Sequence, residues 1–357
     1  MYKSTSIKNS FLGNYIYEQL VPQDHPLRIL KKIASFEELN QELEYLYSTK
    51  GQKSYPPALM ARISILKDLY DLSDEKVVQM VKENIPARMY AGIDLNEKVP
   101  HSTDLTYFRK RLGPENTRKI FEKTLEIAGE NGLTLGDIVL VDASHSQAKI
   151  NQKKQNRTKD KNHNDQDARF AYKNKDKTFF GYKHHTGQEN NHNLILSIQT
   201  TPGNVHDNNK FLDLMEESLE RLPLPSIVSA DKAYDDLRNH LYLKERNIFS
   251  AIILKDTRLR TRKGGFKWFY QDETQDNFFF KQYLDPRYEL GQSQRYKVEQ
   301  PYAEMKRYHG LGKCRYLGLE KTQIQAHFTA AVYNLKHILK EVQSTFTQRK
   351  LNNAFKT

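Results

Sequence analysis

Two short apolar runs each lead directly into an aspartate. Ile138-Val139-Leu140-Val141 precedes Asp142, and LPLPSIVSA precedes Asp231. Runs this short and this rich in β-branched residues read as buried strands rather than helices. Asp is unfavourable inside a strand, and open α/β sheets collect their sites at the carboxyl ends of strands. A chain that delivers an acid at the end of two such strands is therefore limited to folds that can use both at one place. Between and after them the pattern continues. FFGYKHH (179–185) and NLILSIQT (193–200) are strand candidates, joined as a hairpin by the polar GQENNHN. TPGNVHD is a turn in which Asp207 is placed to cap a helix running to about Arg221. YDDLRNHLYLKERN reads as a helix and FSAIIL (249–254) as a strand.

From residue 137 the order is thus strand, loop, strand, strand, helix, strand, helix, strand, insertion, helix. Three sequential antiparallel strands followed by strand–helix alternation describe an α/β fold, a ribonuclease-H-like mixed sheet. In that arrangement the first and fourth strands lie side by side, which brings Asp142 and Asp231 together. Glu299, at the start of a late helix, is placed to supply a third carboxylate. Clustered carboxylates raise each other's pKa, and a divalent cation relieves the repulsion. Mg²⁺ prefers hard oxygen ligands, and two such ions about 4 Å apart can assist in-line displacement at a phosphodiester. Taken singly, each acid also has a plainer role: Asp favours turns, and Glu favours the first turn of a helix.

Upstream the texture is helical. Residues 1–25 read as an arm, 26–132 as an all-helical domain, 133–345 as the α/β domain and 346–357 as a tail. PPALMARISILKDLYDL puts Leu59, Ile63, Leu66 and Tyr70 on one helical face, opened by Pro56 and Pro57. HSTDLTYFRKRL begins another helix, with Ser102 or Thr103 as its cap and Arg109, Lys110 and Arg111 near its end. Short helices ending in a basic one suit DNA binding of the helix-turn-helix kind, or an ordinary bundle with a solvated basic face. Residues 149–177 carry ten basic and four acidic side chains and read as a mobile basic loop. Residues from about 256 to 292 read as a small β-rich insertion containing Trp268, for which core packing competes with stacking on a base.

Charge narrows the partner. Fifty-six Lys and Arg face 44 Asp and Glu, a net +12 that favours a polyanion, DNA or RNA. One cysteine, Cys314, excludes an intramolecular disulfide framework and a multi-cysteine zinc site, and fits a reducing cytoplasm. No apolar run of membrane-spanning length and no signal-peptide core are present. His184, His185, His192 and His206 lack the HxxxH spacing of a helical zinc site. The absence of a GK[ST] phosphate loop argues against an ATP-driven helper.

These residues resemble the DDE transposases of bacterial insertion sequences, in the IS four/IS five-type superfamily. The likeness runs over nearly the full length, through LVPQDHPLRIL, YPPALMARISILKDLYDLSDEKVVQMV and HSTDLTYFRKRL, and then FFGYKHH, TPGNVHD and ADKAYDD. The family signature is Tyr, two residues, Arg, three residues, Glu, six residues, Lys. Arg295, Glu299 and Lys306 fit it, while Gln292 stands at the Tyr position. Pro301 fits only a first helical turn, so the helix is expected to begin at Glu299 or Gln300 with Arg295 before it. The resemblance implies that Asp142, Asp231 and Glu299 are the catalytic, metal-holding residues, with two Mg²⁺ ions or Mn²⁺ in their place. It implies that Arg295 and Lys306 grip DNA-end phosphates; the neighbouring Arg307 is a further candidate for DNA contact. Lys232 and Tyr234, just after Asp231, are further candidates for DNA contact, beside Arg109, Lys110 and Arg111. The expected reaction is cleavage of double-stranded DNA at terminal inverted repeats, followed by strand transfer into target DNA. A homodimer bridging two ends and a location in the bacterial cytoplasm, with the nucleoid, are implied as well. A nuclease of this fold that cuts without joining, or a DNA-binding relative without catalysis, would share most of these features.

Overall fold

The structure, a computed structural model, describes residues 11–48, 50–51, 53–149, 165–174, 177–221, 224–255 and 282–354. Packing divides the chain into two units: Met1–Leu133 with Met305–Leu311 and Glu320–Thr357, and Thr134–Glu304 with Gly312–Leu319. Residues 305–311 and 320 onward thus pack with the helical unit, although the sequence reading placed all of 133–345 together.

The second unit is built on one mixed sheet of six strands among the described residues: β1 (Ile138–Gln147), β2 (Arg169–Asn174), β3 (Lys177–Glu189), β4 (Ile195–Pro202), β5 (Ile227–Ala230) and β6 (Phe249–Ile252). β3 lies antiparallel to β1 in an unbroken register from Val139↔Glu189 to Gln147↔Gly181. On its other edge β3 is shared: β2 takes its first residues up to Gly181, and β4 takes Tyr182 to Gln188. β5 lies parallel to β1, with Val141 opposite Ala230, and β6 lies parallel to β5. The order β4-β3-β1-β5-β6 is the ribonuclease-H-like arrangement expected from the sequence.

Burial explains the apolar run. Ile138 and Leu140 share a core cluster with Ile227, Ala251 and Val298, while Val139 and Val141 on the opposite face are also buried. A strand covered on both faces reads as continuous hydrophobicity. Three expectations change. β1 does not end at Asp142 but runs five residues further, because β3 goes on pairing with it after β5 has stopped. Part of the expected basic loop, Arg169–Asn174, is a strand, and residues 150–164 lie outside the described residues. Of the expected β-rich insertion, 256–281 including Trp268 lie outside them too, while Pro286–Ser293 is a helix capped by Asp285.

The first unit contains α1 (Phe11–Leu20), α2 (Pro26–Ile33), α3 (Leu39–Glu42), α4 (Pro57–Leu69), α5 (Asp74–Glu83), α6 (Ile85–Ala91) and α7 (Ser102–Glu130). α4 is buried on every side from Pro57 to Asp68, not along one face, and Tyr70 is half-exposed beyond its end. Its polar residues are therefore paired: Arg62 donates to Glu37, Ser35 O and Ala91 O. α7 is capped by His101 and Asp104 in a reciprocal capping box, rather than by Ser102 or Thr103. It breaks at Gly113, whose φ of 63° precedes Pro114. Thr117 and Thr124 on its second half meet His327 and Asn334 of the C-terminal helix Leu319–Ala354. No helix among the described residues is long and apolar enough to cross a membrane.

Candidate active site

The parallel pairing of β1 with β5 ends at Val141↔Ala230, so Asp142, still on β1, and Asp231, just past the end of β5, are the next residues. Asp142 lies opposite Thr186 of β3. Burial, followed by the nearby charges of Asp231 and Asp207, raises the Asp142 carboxyl to about 6, against a hydrogen bond from Ala143 N–H and the attraction of Arg295. Asp231 caps the short 3₁₀ turn Lys232–Tyr234, accepting from Ala233 N–H at 2.7 Å. Its loop is tied down four residues on, at Asp235. The buried Asp235 carboxylate meets His240 at 3.1 Å and accepts from Lys255 N–H, and His240 meets Ser250 of β6 at 2.8 Å.

Two further groups belong to this neighbourhood. Tyr234 is buried, not available to DNA, and its hydroxyl has no hydrogen-bond partner among the described groups. Burial and the surrounding acids Asp207, Asp142 and Asp231 push that hydroxyl well above its usual range. Asp207 does not cap a helix; His206 caps the 3₁₀ turn Asp207–Lys210, and Asp207 pairs with Lys183 of β3 at 2.8 Å. Their participation was not legible in spacing, because it depends on β3 standing beside β1.

Glu299 opens the helix Glu299–Tyr308, as Pro301 requires, and is exposed. The 3₁₀ turn Arg295–Val298 precedes it, with Val298 buried against Ile138 and Leu140. One turn after Glu299, the buried Tyr302 hydroxyl reaches Asp142 O at 3.0 Å and His184 O at 2.8 Å, and accepts from Thr186 Oγ1 at 2.8 Å. Among the described residues no three His, Cys, Asp or Glu side chains converge so as to hold a metal ion. The two aspartates nevertheless suit a hard cation: a buried carboxyl with an acid beside it has raised proton affinity because its negative charge lacks full compensation.

The basic candidates separate. Arg295 is partly buried and acts electrostatically on Asp142; Lys232 and Arg307 are exposed. Lys306 is partly buried. In the helical unit Lys110 is exposed, and Arg111 lies over the Tyr47 ring beside a cavity of about 260 Å³ lined by Lys53, Ser54, Tyr55 and Tyr107. Arg109 is a correction. It is buried and its guanidinium is held by both oxygens of Asp74, at 3.0 and 2.5 Å, so its charge is spent within the fold. Gln292, at the signature's Tyr position, donates instead to Ala251 O of β6. His184 and His185 are buried and bonded to Thr200 and Thr201, and Cys314 is buried.

The chain is similar to known transposases over two stretches. Residues 133–335 match the family described as Transposase DDE domain, and residues 15–111 match Transposase domain (DUF772). Among solved structures, the cryo-EM piggyBac transposase synaptic complex with hairpin DNA matches at 8% identity and a TM-score of 0.35, covering 91% of this chain and 81% of that one. The Mos1 transposase paired-end complex with left transposon end matches at 11% and 0.20, covering 83% and 96%. The Mos1 mariner paired end complex with Mn matches at 13% and 0.18, covering 67% and 75%. Enzymes of the DDE family generally use divalent metal ions. With its family model spanning more than half of the sequence, the chain belongs to the DDE transposases, polynucleotidyl transferases of DNA transposition.

Proposed function

We propose that this transposase cuts double-stranded DNA at the terminal inverted repeats of a bacterial insertion sequence and transfers the freed 3′ ends into target DNA. Asp142, Asp231 and Glu299 hold the metal, two Mg²⁺ ions with Mn²⁺ as substitute. The observation that carries the reading is the parallel register of β1 and β5, which sets Asp142 and Asp231 at the same level. Glu299 joins them by a side-chain movement at the first turn of its helix, where no packing confines it. When bound, the cation supplies Lewis-acid stabilisation to charge building on the phosphoryl oxygens.

The rest falls to the chain's own groups. Arg295 and Arg307 bind DNA phosphates in bidentate fashion, and Lys306 and Lys232 add point charges along the backbone. Lys110 and Arg111 extend the phosphate contacts in the helical unit. Arg109 is left out of this set, since its guanidinium is held by Asp74. The working form on DNA is a homodimer, in the bacterial cytoplasm with the nucleoid. Asp142→Ala, Asp231→Ala and Glu299→Ala should each abolish Mg²⁺-dependent cleavage of end-bearing DNA while leaving gel-shift binding intact. Full cleavage by any one variant removes that acid from the site.

A further inference from the structure

We infer that Tyr302 is a positioning residue that holds the Glu299 helix in register with Asp142. The inference rests on the proposed role of the three acids and adds a residue that the signature spacing does not contain. A buried tyrosine needs a reason for its hydroxyl. Tyr90, Tyr234 and Tyr242 bury theirs without a partner among the described groups, so ring packing alone is tolerated in this protein. The Tyr302 hydroxyl, by contrast, has three oxygens in reach, all on β1 and β3. Two of them are Asp142 O and Thr186 Oγ1, which belong to one residue pair of the β1–β3 register. A single hydroxyl thus ties the helix to the backbone of the very residue whose carboxylate is proposed to hold metal.

Helical geometry gives this tie its consequence. Residues three apart lie on neighbouring parts of one face, with side chains tilted toward the N-terminus. Glu299 is three residues before Tyr302, so fixing Tyr302 over Asp142 fixes where Glu299 leaves the backbone. Val298 pins the start of the same helix to Ile138 and Leu140. With anchors on β1 and β3, the start of the helix is held against the sheet, while the Glu299 side chain is exposed. Groups that orient metal-holding residues in this way typically change metal affinity or activity 10- to 100-fold when removed.

Tyr302→Phe keeps the ring that fills the buried space and deletes only the hydroxyl; Thr186→Val deletes its donor from the strand side. Mn²⁺ binding to the protein, followed by loss of the free-ion EPR signal, should weaken about tenfold in Tyr302→Phe and by less in Thr186→Val, which leaves the two carbonyl oxygens in reach. The double variant should weaken no further than Tyr302→Phe alone, because Tyr302→Phe already removes the bond that Thr186 makes. Metal-free DNA binding should match the parent in all three. Unchanged Mn²⁺ affinity in both single variants overturns the inference, and so does a loss of metal-free DNA binding as large as the loss of Mn²⁺ affinity. Asp231→Asn separates the two levels. If it loses Mn²⁺ while Tyr302→Phe does not, the positioning role fails and the metal reading stands. If Asp231→Asn also binds Mn²⁺ normally, the metal reading itself has failed.

Discussion

At the scale of single residues, charge alone misleads and partners decide. Arg109, Lys110 and Arg111 form one basic cluster in the sequence, yet only the first is enclosed with Asp74, to which Lys67 also comes within 3.5 Å. Breaking a buried pair by deleting one partner typically costs about 3–5 kcal/mol. Arg109→Ala should therefore lower unfolding stability by about that much and leave the salt dependence of DNA binding unaltered. Lys110→Ala should do the reverse, with little change in stability and a salt slope shallower by about one. A stable Arg109→Ala with a shallower slope would return Arg109 to the DNA. His185 gives a pH test. Burial lowers its pKa to about 4, below the roughly 6.5 of the unfolded chain. Between those values the unfolded chain binds the extra proton, so the stability is full above 6.5 and is lost as pH falls toward 4. That amounts to about 2 kcal/mol between pH 7 and pH 5. Urea unfolding of His185→Asn should show a smaller drop over this interval than the parent; equal drops would remove His185 as the cause. Nothing in the sequence around Arg109 or His185 announces these roles, because Asp74 and Thr201 are supplied by other elements.

At the scale of elements, strand identity was legible and strand extent was not. IVLV of β1 and the Ile227-Val228 pair of β5 are apolar because both faces of the two strands are covered, which a local pattern records. The continuation of β1 through Ala143-Ser144-His145-Ser146-Gln147 is polar and is held by pairing with β3, which a local pattern does not record. The hairpin between β3 and β4 was readable from its polar link, but its lock was not. The buried Glu189 carboxylate accepts from the main-chain N–H groups of Gly136, Asn191, His192 and Leu194 at 2.7 to 2.9 Å. Hydrogen bonds to a charged group are worth roughly 1.5–3 kcal/mol each, and the set is shared by one side chain. Glu189→Ala should lower stability by about 3 kcal/mol and speed amide exchange at residues 191–194 above all others. Uniform acceleration across the sheet would mean that the carboxylate does not lock the turn. The Glu299 helix shows the same division. Pro301 told where it begins; Tyr302, which fastens it to β1, could have been found by asking what lies one turn beyond Glu299.

At the scale of the whole molecule, the sequence made the strand order legible but not how distant segments pack together. Two strand-end acids, the strand order and the late glutamate pointed to this family before any coordinates, since each follows from short-range pattern. That residues 305–311 and 320 onward pack with the helical unit follows from contacts such as His309 with Asp68, which are distant in sequence. The net charge of +12 favours a polyanionic partner and says nothing of the chemistry. The proposed chemistry rests on the three carboxylates, and one measurement addresses them directly. The purified protein is incubated with Mg²⁺ and DNA flanking its gene, beside Asp231→Asn, and products are mapped to the nucleotide. The account predicts cuts at the ends of the inverted repeats and joined products from the parent protein, and neither from the variant. Equal cutting and joining by Asp231→Asn, or binding by the parent with no cut at all, would contradict it.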